Sequence, residues 1–298
     1  MQEETKEVVR LKEPFYPTND AFFKSVFRSI EARNVVADFL NAVTGISKEK
    51  LMNAEYVGGE HSKTKLTEKT KTSDVIVKLS EEEKIVVEMN KRYKDNQFTK
   101  NTEYAFTVKV ESTKSSKKYS KIFLINIDNY NFFNTKEPLL HFKLRDEFGH
   151  IENESYNSIH LVLENLVNEE YNKNIDERII KFAKFLKTTT IKEMGELFKG
   201  DSDYMAAIRK VEDLSTDPDF IGYYDIEEAH EQDIEDALAT GTRQGIEQGI
   251  EQGTRQGIEQ GTRQEKIEIA KNMIKDNESL KKISKYTGLT QNELNKLV

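Results

Sequence analysis

The sequence predicts an α/β domain, a mixed sheet flanked by helices, followed by an all-helical C-terminal extension. Three observations carry this reading. Short β-branched runs lie between segments whose apolar residues recur at helical spacing. One pair of such runs, inside residues 72–90, reads as a hairpin. From about residue 176 the apolar period is helical throughout, and it leads into a four-residue glycine repeat. The chain has 298 residues with 16 Phe and 12 Tyr, enough to fill the core of one large domain with appendages.

The elements follow in order. In "PTNDAFFKSVF" Thr18 or Asn19 can cap a helix whose apolar face is Phe22, Phe23, Val26 and Phe27. "NVVADFLNAV" continues the pattern and Gly45 ends it. Residues 51–60 are a weak strand candidate, and "HSKTKLTEKTK" is a polar, basic lead-in to the hairpin. Residues 96–113 predict a helix with Phe98, Thr102, Tyr104, Ala105 and Val108 inward. "KIFLINI", "LLHFKLRD" and "SIHLVLENL" read as strands; "DERIIKFAKFL", "IKEMGELF" and "DYMAAIRKVEDL" read as helices. Residues 241–264 spell GTRQ GIEQ GIEQ GTRQ GIEQ GTRQ, a spacer helix or solvated linker. The glycine stripe drifts about 40° per repeat around a helix of 3.6 residues per turn, which suits a crossing partner helix or none. In the tail, Gly288 fits a tight turn and Thr290 with Glu293 a capping box, giving a helix-turn-helix-like module. The expected organisation is a core at 10–170, its helical continuation at 171–235, the glycine repeat at 236–265 and the small helical tail at 266–298.

Composition excludes several functions. A net charge of -8 argues against coating nucleic acid by bulk charge, though a local basic groove is compatible with it. Without Cys there are neither disulfides nor thiolate metal sites. The five His are scattered without zinc-ligand spacing, and no phosphate-binding glycine loop implies a nucleotide cofactor. The start "MQEETKEVVR" lacks an apolar signal core and no stretch has the length of a membrane span, so a cytoplasmic location is expected.

The hairpin "TSDVIVKLSEEEKIVVEMN" poses the functional question. With its turn centred on Glu81, Ile76 faces Val86, Lys78 faces Lys84, and Asp74 lies opposite Glu88. The face carrying Val75, Val77, Leu79, Ile85 and Val87 is wholly apolar. The other face is apolar at its middle but ends in two acids, with Asn90 two residues beyond. Opposed like charges destabilise a sheet, and one carboxyl would hold a proton unless a cation intervenes. Mg²⁺, which takes a few carboxylates plus waters, suits such a pair, and Asn90 can orient one of those waters. Ion pairing with Lys or Arg at wetted strand ends is the other reading, and the residues leave both open.

The blocks "NDAFFKSVF", "NVVADFLNAVTGI", "KTSDVIVKL" and "IVVEMN", in this order, resemble the Rpn family of recombination-promoting nucleases, also described as PD-(D/E)XK nuclease family transposases. The similarity runs over most of residues 15–235. It implies a restriction-endonuclease-like fold and an Mg²⁺- or Mn²⁺-dependent DNA endonuclease that hydrolyses phosphodiesters. By this resemblance Asp74 and Glu88 are catalytic metal ligands, joined by the backbone carbonyl of Met89. Asn90 takes the third catalytic place, where the wider superfamily has Lys and this branch commonly has Gln. Asp20 and Lys24 match the family's first helix as accessory positions, although Asp20 also suits a helix N-terminus on charge alone. Lys100 and Tyr104, one turn apart on the next helix, can face a phosphate, or Tyr104 can be core. Lys91 and Arg92 can steer DNA, or mark a solvated strand end. The expected partners are DNA and further copies of the chain through the C-terminal region, without a membrane. A non-catalytic DNA-binding or assembly module on a degenerate nuclease fold is the alternative, and an interaction protein organised by its repeat and tail is the third.

Overall fold

The computed structural model describes residues 10–58 and 74–297. The basic lead-in at 61–71, together with Thr72 and Ser73, lies outside them.

Helix α1, Asp20–Phe27, starts where the sequence offers a cap: Asn19 Oδ1 accepts the Phe22 N–H at 3.2 Å. Its Phe22, Phe23, Val26 and Phe27 are all buried. Helix α2, Arg33–Thr44, ends at Gly45, whose φ of 74° is the left-handed conformation that only glycine adopts without strain. A short helix α3, Lys48–Met52, then occupies the start of the segment expected as a strand, and the strand itself is only β1, Glu55–Val57.

The hairpin is β2, Val75–Lys78, and β3, Glu83–Asn90, with Val75 opposite Val87, Ile76 opposite Val86 and Lys78 opposite Lys84. Helix α4, Gln97–Ser116, then crosses over so that β4, Lys121–Asp128, runs parallel to β3. A second pairing along the far side of β4 is parallel to β6, Tyr156–Val162, and β5, Leu139–Lys143, closes that edge antiparallel to β6. The six strands stand in the order β1-β2-β3-β4-β6-β5. The expected strand "SIHLVLENL" stops at Val162, and its last residues form helix α5, Leu163–Val167. A continuous apolar run fits a buried strand and a buried helix equally well, so period alone did not place that boundary.

Alternation divides the sheet into two faces. Val75, Val77, Ile85, Val87, Ile125 and Leu161 join the large core built with α1, α2, α6 (Glu177–Lys187) and α8 (Ser202–Leu214). Ile76, Val86, Ile122 and Leu124 pack instead on Tyr104, Ala105 and Val108 of α4. Helix α7, Ile191–Leu197, adds Met194 to the larger core. Helix α9, Pro218–Lys275, contributes Phe220, Ile221 and Tyr224 from its first turns.

The chain divides into two compact units, Met1–Ala229 and His230–Val298. In the second, α9 remains helical through all six repeat glycines, and its end packs against α10, Leu280–Thr287, and α11, Gln291–Leu294. The small core there is Ala270, Ile283, Leu289 and Leu294, with Gly288 at φ 71° making the turn and Thr290 with Glu293 forming a full capping box.

The joint between α1, α2 and α6 is aromatic. Phe182 stacks on Phe39 at 4.1 Å between centroids and meets Phe27 edge-on at 6.1 Å. Phe182→Ala leaves a cavity beneath the helix that carries Asp20 and Lys24, and is expected to cost about 3–5 kcal/mol. A shift in the urea midpoint at unchanged slope measures it; a loss under 1 kcal/mol would show that the joint repacks.

Candidate functional site

Asp74 is the residue before β2, and the hairpin register carries it to the position opposite Glu88. The Met89 N–H donates to Asp74 Oδ2 at 2.5 Å, which ties the two arms where the strand ladder ends. Glu88 is only 8% exposed. Helix α1 brings a third and a fourth charge. Lys24 Nζ lies 3.5 Å from Asp74 Oδ1 and 2.6 Å from Asp20 Oδ2. The three phenylalanines and the valine of α1 face the core, which leaves Asp20 and Lys24, one turn apart, turned toward the hairpin end. The N-cap Asn19 also donates to Glu228 Oε1 at 2.8 Å, and Lys91 Nζ donates to the same oxygen at 2.7 Å. The first turns of α9 thus fix the start of α1 beside the end of β3.

The charges do not balance. Burial pushes the Asp74 carboxyl up to about 7, and the negative charge of Asp20 adds to the rise against the opposing pull of Lys24. Burial and then Asp74 hold Glu88 well above the usual carboxylate range. For Lys24 burial works downward, but Asp74 and Asp20 outweigh it and the ammonium is held above its ordinary value. One lysine therefore serves three carboxyls.

Among the described residues no group of three or more His, Asp or Glu side chains is arranged to hold an ion by itself. Two hard carboxylates that resist ionisation as a pair still match Mg²⁺, which binds through one or two carboxylates and keeps its remaining positions for water and phosphate oxygens. The donor set fits a hard divalent cation; with no thiol and no imidazole beside the pair, it does not resemble a zinc centre.

Asn90 is placed otherwise than expected. It is 1% exposed, and both ends of its carboxamide are engaged. Its Nδ2 donates to Asp128 Oδ1 at 2.7 Å, while its Oδ1 accepts from Gln97 Nε2 and, at 3.3 Å, from Asn101 Nδ2. The network continues through Asn101 to Asn126 at 2.8 Å, and His160 bridges Asn126 Nδ2 at 3.2 Å and Asp128 Oδ2 at 2.8 Å. With its hydrogen-bonding capacity used inside the protein, the side chain has none left to orient a water.

The remaining positions separate. Tyr104, 4% exposed, belongs to the core under α4, so it does not face a phosphate, whereas Lys100 is exposed. Lys91 is paired with Glu228 and lies 5.3 Å from the Tyr16 ring, and Arg92 is half-buried. Sequence reading missed Asn126, Asp128, His160, Asn101 and Gln97. Part of the signal was present: in "KIFLINID" Asn126 and Asp128 alternate on one side of an otherwise apolar strand.

A family model described as PD-(D/E)XK nuclease family transposase matches residues 17–241, a span that contains every one of these groups. No curated protein and no solved structure matches the chain.

The raised acids make stability depend on pH in a definite direction. A carboxyl whose folded pKa exceeds its unfolded one favours folding most below the unfolded value, and that contribution is lost as pH rises through the folded value. For Asp74 the window runs from the ordinary carboxylate range, near 3.8, to about 7. In EDTA, Asp74→Asn is expected to be more stable than the parent at pH 8 by on the order of 1–3 kcal/mol, with the gain vanishing near pH 4. Mg²⁺ should raise the melting temperature of the parent at pH 8 and leave Asp74→Asn unmoved. Parallel stability profiles for both proteins across this range would show that the acids carry no strain.

Proposed function

The chain belongs to the PD-(D/E)XK nuclease family transposases, and on that premise we propose that it is an Mg²⁺-dependent DNA endonuclease acting in recombination or transposition in the cytoplasm. The observation that carries this reading is the buried, opposed pair Asp74 and Glu88, with a lysine held against it. Asp74 and Glu88 would hold the cation together with the Met89 carbonyl; Mn²⁺ would serve in place of Mg²⁺. A bound divalent ion supplies an acidified water and charge stabilisation at the phosphate.

The protein's own groups do the rest. Met89 N–H fixes one Asp74 oxygen and so leaves Oδ1 as the outward donor. Lys24 supplies the positive charge that Asn90 lacks at the third position. Its ammonium is shared by Asp20 and Asp74, so a cation on Asp74 would release it toward the scissile phosphate without moving α1. Asp20 holds that ammonium in place. Asn90 is a positioning residue, anchoring the end of β3 through Asp128. Lys91 and Arg92, directly after β3, would lie along the DNA backbone.

One observation favours a second reading, a non-catalytic DNA-binding or assembly module: the carboxamide at position 90 is spent within the protein. A plasmid-nicking assay with Mg²⁺, Mn²⁺ or EDTA separates the two. Nicking is expected with either metal and none in EDTA. Asp74→Ala and Glu88→Ala should abolish it with the fold intact, and Lys24→Met should lower it about 100-fold or more. DNA binding without nicking under every metal would favour the second reading, and nicking by Asp74→Ala at the parent rate would show the site to be misassigned.

The C-terminal unit supports self-association. Ile246, Ile250 and Ile258 each follow a repeat glycine and are exposed, so small and apolar residues share one winding stripe. A chain ending at Gly241 is expected to keep the Mg²⁺-induced thermal shift, to scatter light as fewer copies per particle than the full chain, and to nick one strand more readily than it breaks both. Equal copy numbers would make the repeat a spacer only.

A further inference from the structure

The aromatic rings that follow the end of β3 are more exposed than a core requires. Tyr93, three residues past Asn90, stacks on Phe132 with centroids 4.9 Å apart and planes 20° from parallel. The two are 46% and 47% exposed. Beneath them Phe98 meets Phe132 edge-on at 4.9 Å and lies parallel to Phe133 at 5.7 Å. Phe98 and Phe133 in turn contact the His160 ring at 4.7 and 5.1 Å. His160 is the imidazole bonded to Asp128, which holds Asn90, two residues from Glu88. A continuous chain of ring contacts and buried hydrogen bonds therefore joins the exposed pair to the end of the strand that carries the acid.

The surroundings define the chemistry of what would cover these rings. Lys94 follows Tyr93 in sequence, and Lys187 donates to Asn129, the residue after Asp128, at 3.0 Å; Lys91 and Lys136 lie instead against the Tyr16 and Tyr171 rings. The Tyr130 hydroxyl, within the same ring group, is buried and makes no hydrogen bond among the described residues. Exposed, mutually stacked rings on a chain of this nuclease family match the planar bases of a DNA strand, which stack on such rings whatever their identity.

We propose that Tyr93 and Phe132 form a stacking platform for an unpaired nucleobase of a DNA strand, linked through His160, Asp128 and Asn90 to the strand end that carries Glu88, so that the protein engages single-stranded or locally opened DNA. This rests on the nuclease reading for its polymer, but on the ring geometry for its preference. Single-strand grooves of this type gain from each stacked base and are indifferent to its identity.

The test is binding of the full chain in EDTA, where nothing is cut, to a thymidylate strand of about 20 nucleotides, longer than the ~4–16 that one stacking groove spans. The comparison is an abasic strand of equal length and charge, at one salt concentration, read by fluorescence anisotropy. The parent should bind the base-bearing strand about tenfold more tightly. Tyr93→Ala with Phe132→Ala should erase that difference while leaving abasic binding and the melting temperature unchanged, and Tyr93→Trp with Phe132→Trp should keep it. Equal binding of both strands by the parent overturns the proposal. So does a double-alanine variant that keeps the preference, or one whose only change is a smaller mass by light scattering, because the rings would then cover a second copy. Failure of the cleavage reading shows separately, as nicking that Asp74→Ala does not alter.

Discussion

The constraint on which the structure turns is the opposition of Asp74 and Glu88 across the open end of a hairpin. Two carboxyls facing one another in a sheet repel, and burial strengthens that repulsion. The fold answers with local donors rather than with solvent. Met89 N–H satisfies one Asp74 oxygen, and Lys24 approaches the other. That answer requires α1 to begin at one place and in one orientation. Asn19 sets the place by capping, the Phe-rich face sets the orientation by burial, and Glu228 secures the cap to Lys91 at the end of β3. Elements more than two hundred residues apart in sequence thus serve one pair of acids.

Beyond that pair the strand ends change character. On the face of β3 and β4 that packs on α4, apolar residues give way to Glu88, Asn90, Asn126 and Asp128 within two steps of alternation. Buried amides are tolerable only when both their donors and acceptors are met. Asn90 meets this condition with Asp128 on one side and Gln97 and Asn101 on the other. A lysine at position 90 would bring three donors and no acceptor to a site where Gln97 and Asn101 already offer donors, so the network and the asparagine specify one another. The positive charge at this site comes from α1 instead, from a lysine whose ammonium pairs with two carboxyls.

Much of this was legible in the chain and some of it was not, for physical reasons. The hairpin register follows from strict alternation and a turn of charged residues, so the pairing of Ile76 with Val86 could be read directly and Asp74 placed opposite Glu88. The α1 cap and the left-handed Gly45 followed from local stereochemistry. The strand ending at Val162 was read too long because Leu163 and Leu166 are buried in either state. Lys24 was matched by resemblance to the family's first helix, but its convergence on Asp74 carried no signal, since it depends on how α1 docks. His160 was invisible for the same reason: its partners lie on other strands, and only the parallel β4/β6 register sets it beside Asn126. A role for Asn90 at a bound water followed from its face of the strand alone. The face was right, but alternation says nothing of how deeply a residue on it is covered.

The glycine repeat obeys a different logic. Six glycines withhold about 3–6 kcal/mol of helix propensity relative to alanine, and the few i,i+4 pairs of Glu and Arg return only a few tenths each. Among the described residues no side chain lies close to where a Cβ would stand on any of the six, so packing within them requires none of these glycines. The exposed isoleucines beside the glycines offer an apolar surface on which a second helix could pack. A ridge of Ile and Thr along one four-residue row, next to a groove of glycines along the adjacent row, is the arrangement in which two such helices can seat each other's ridges. The nuclease unit draws its order from opposed charges and buried aromatic rings. By this reasoning the repeat would draw its order from a neighbouring helix, in the same chain or in another.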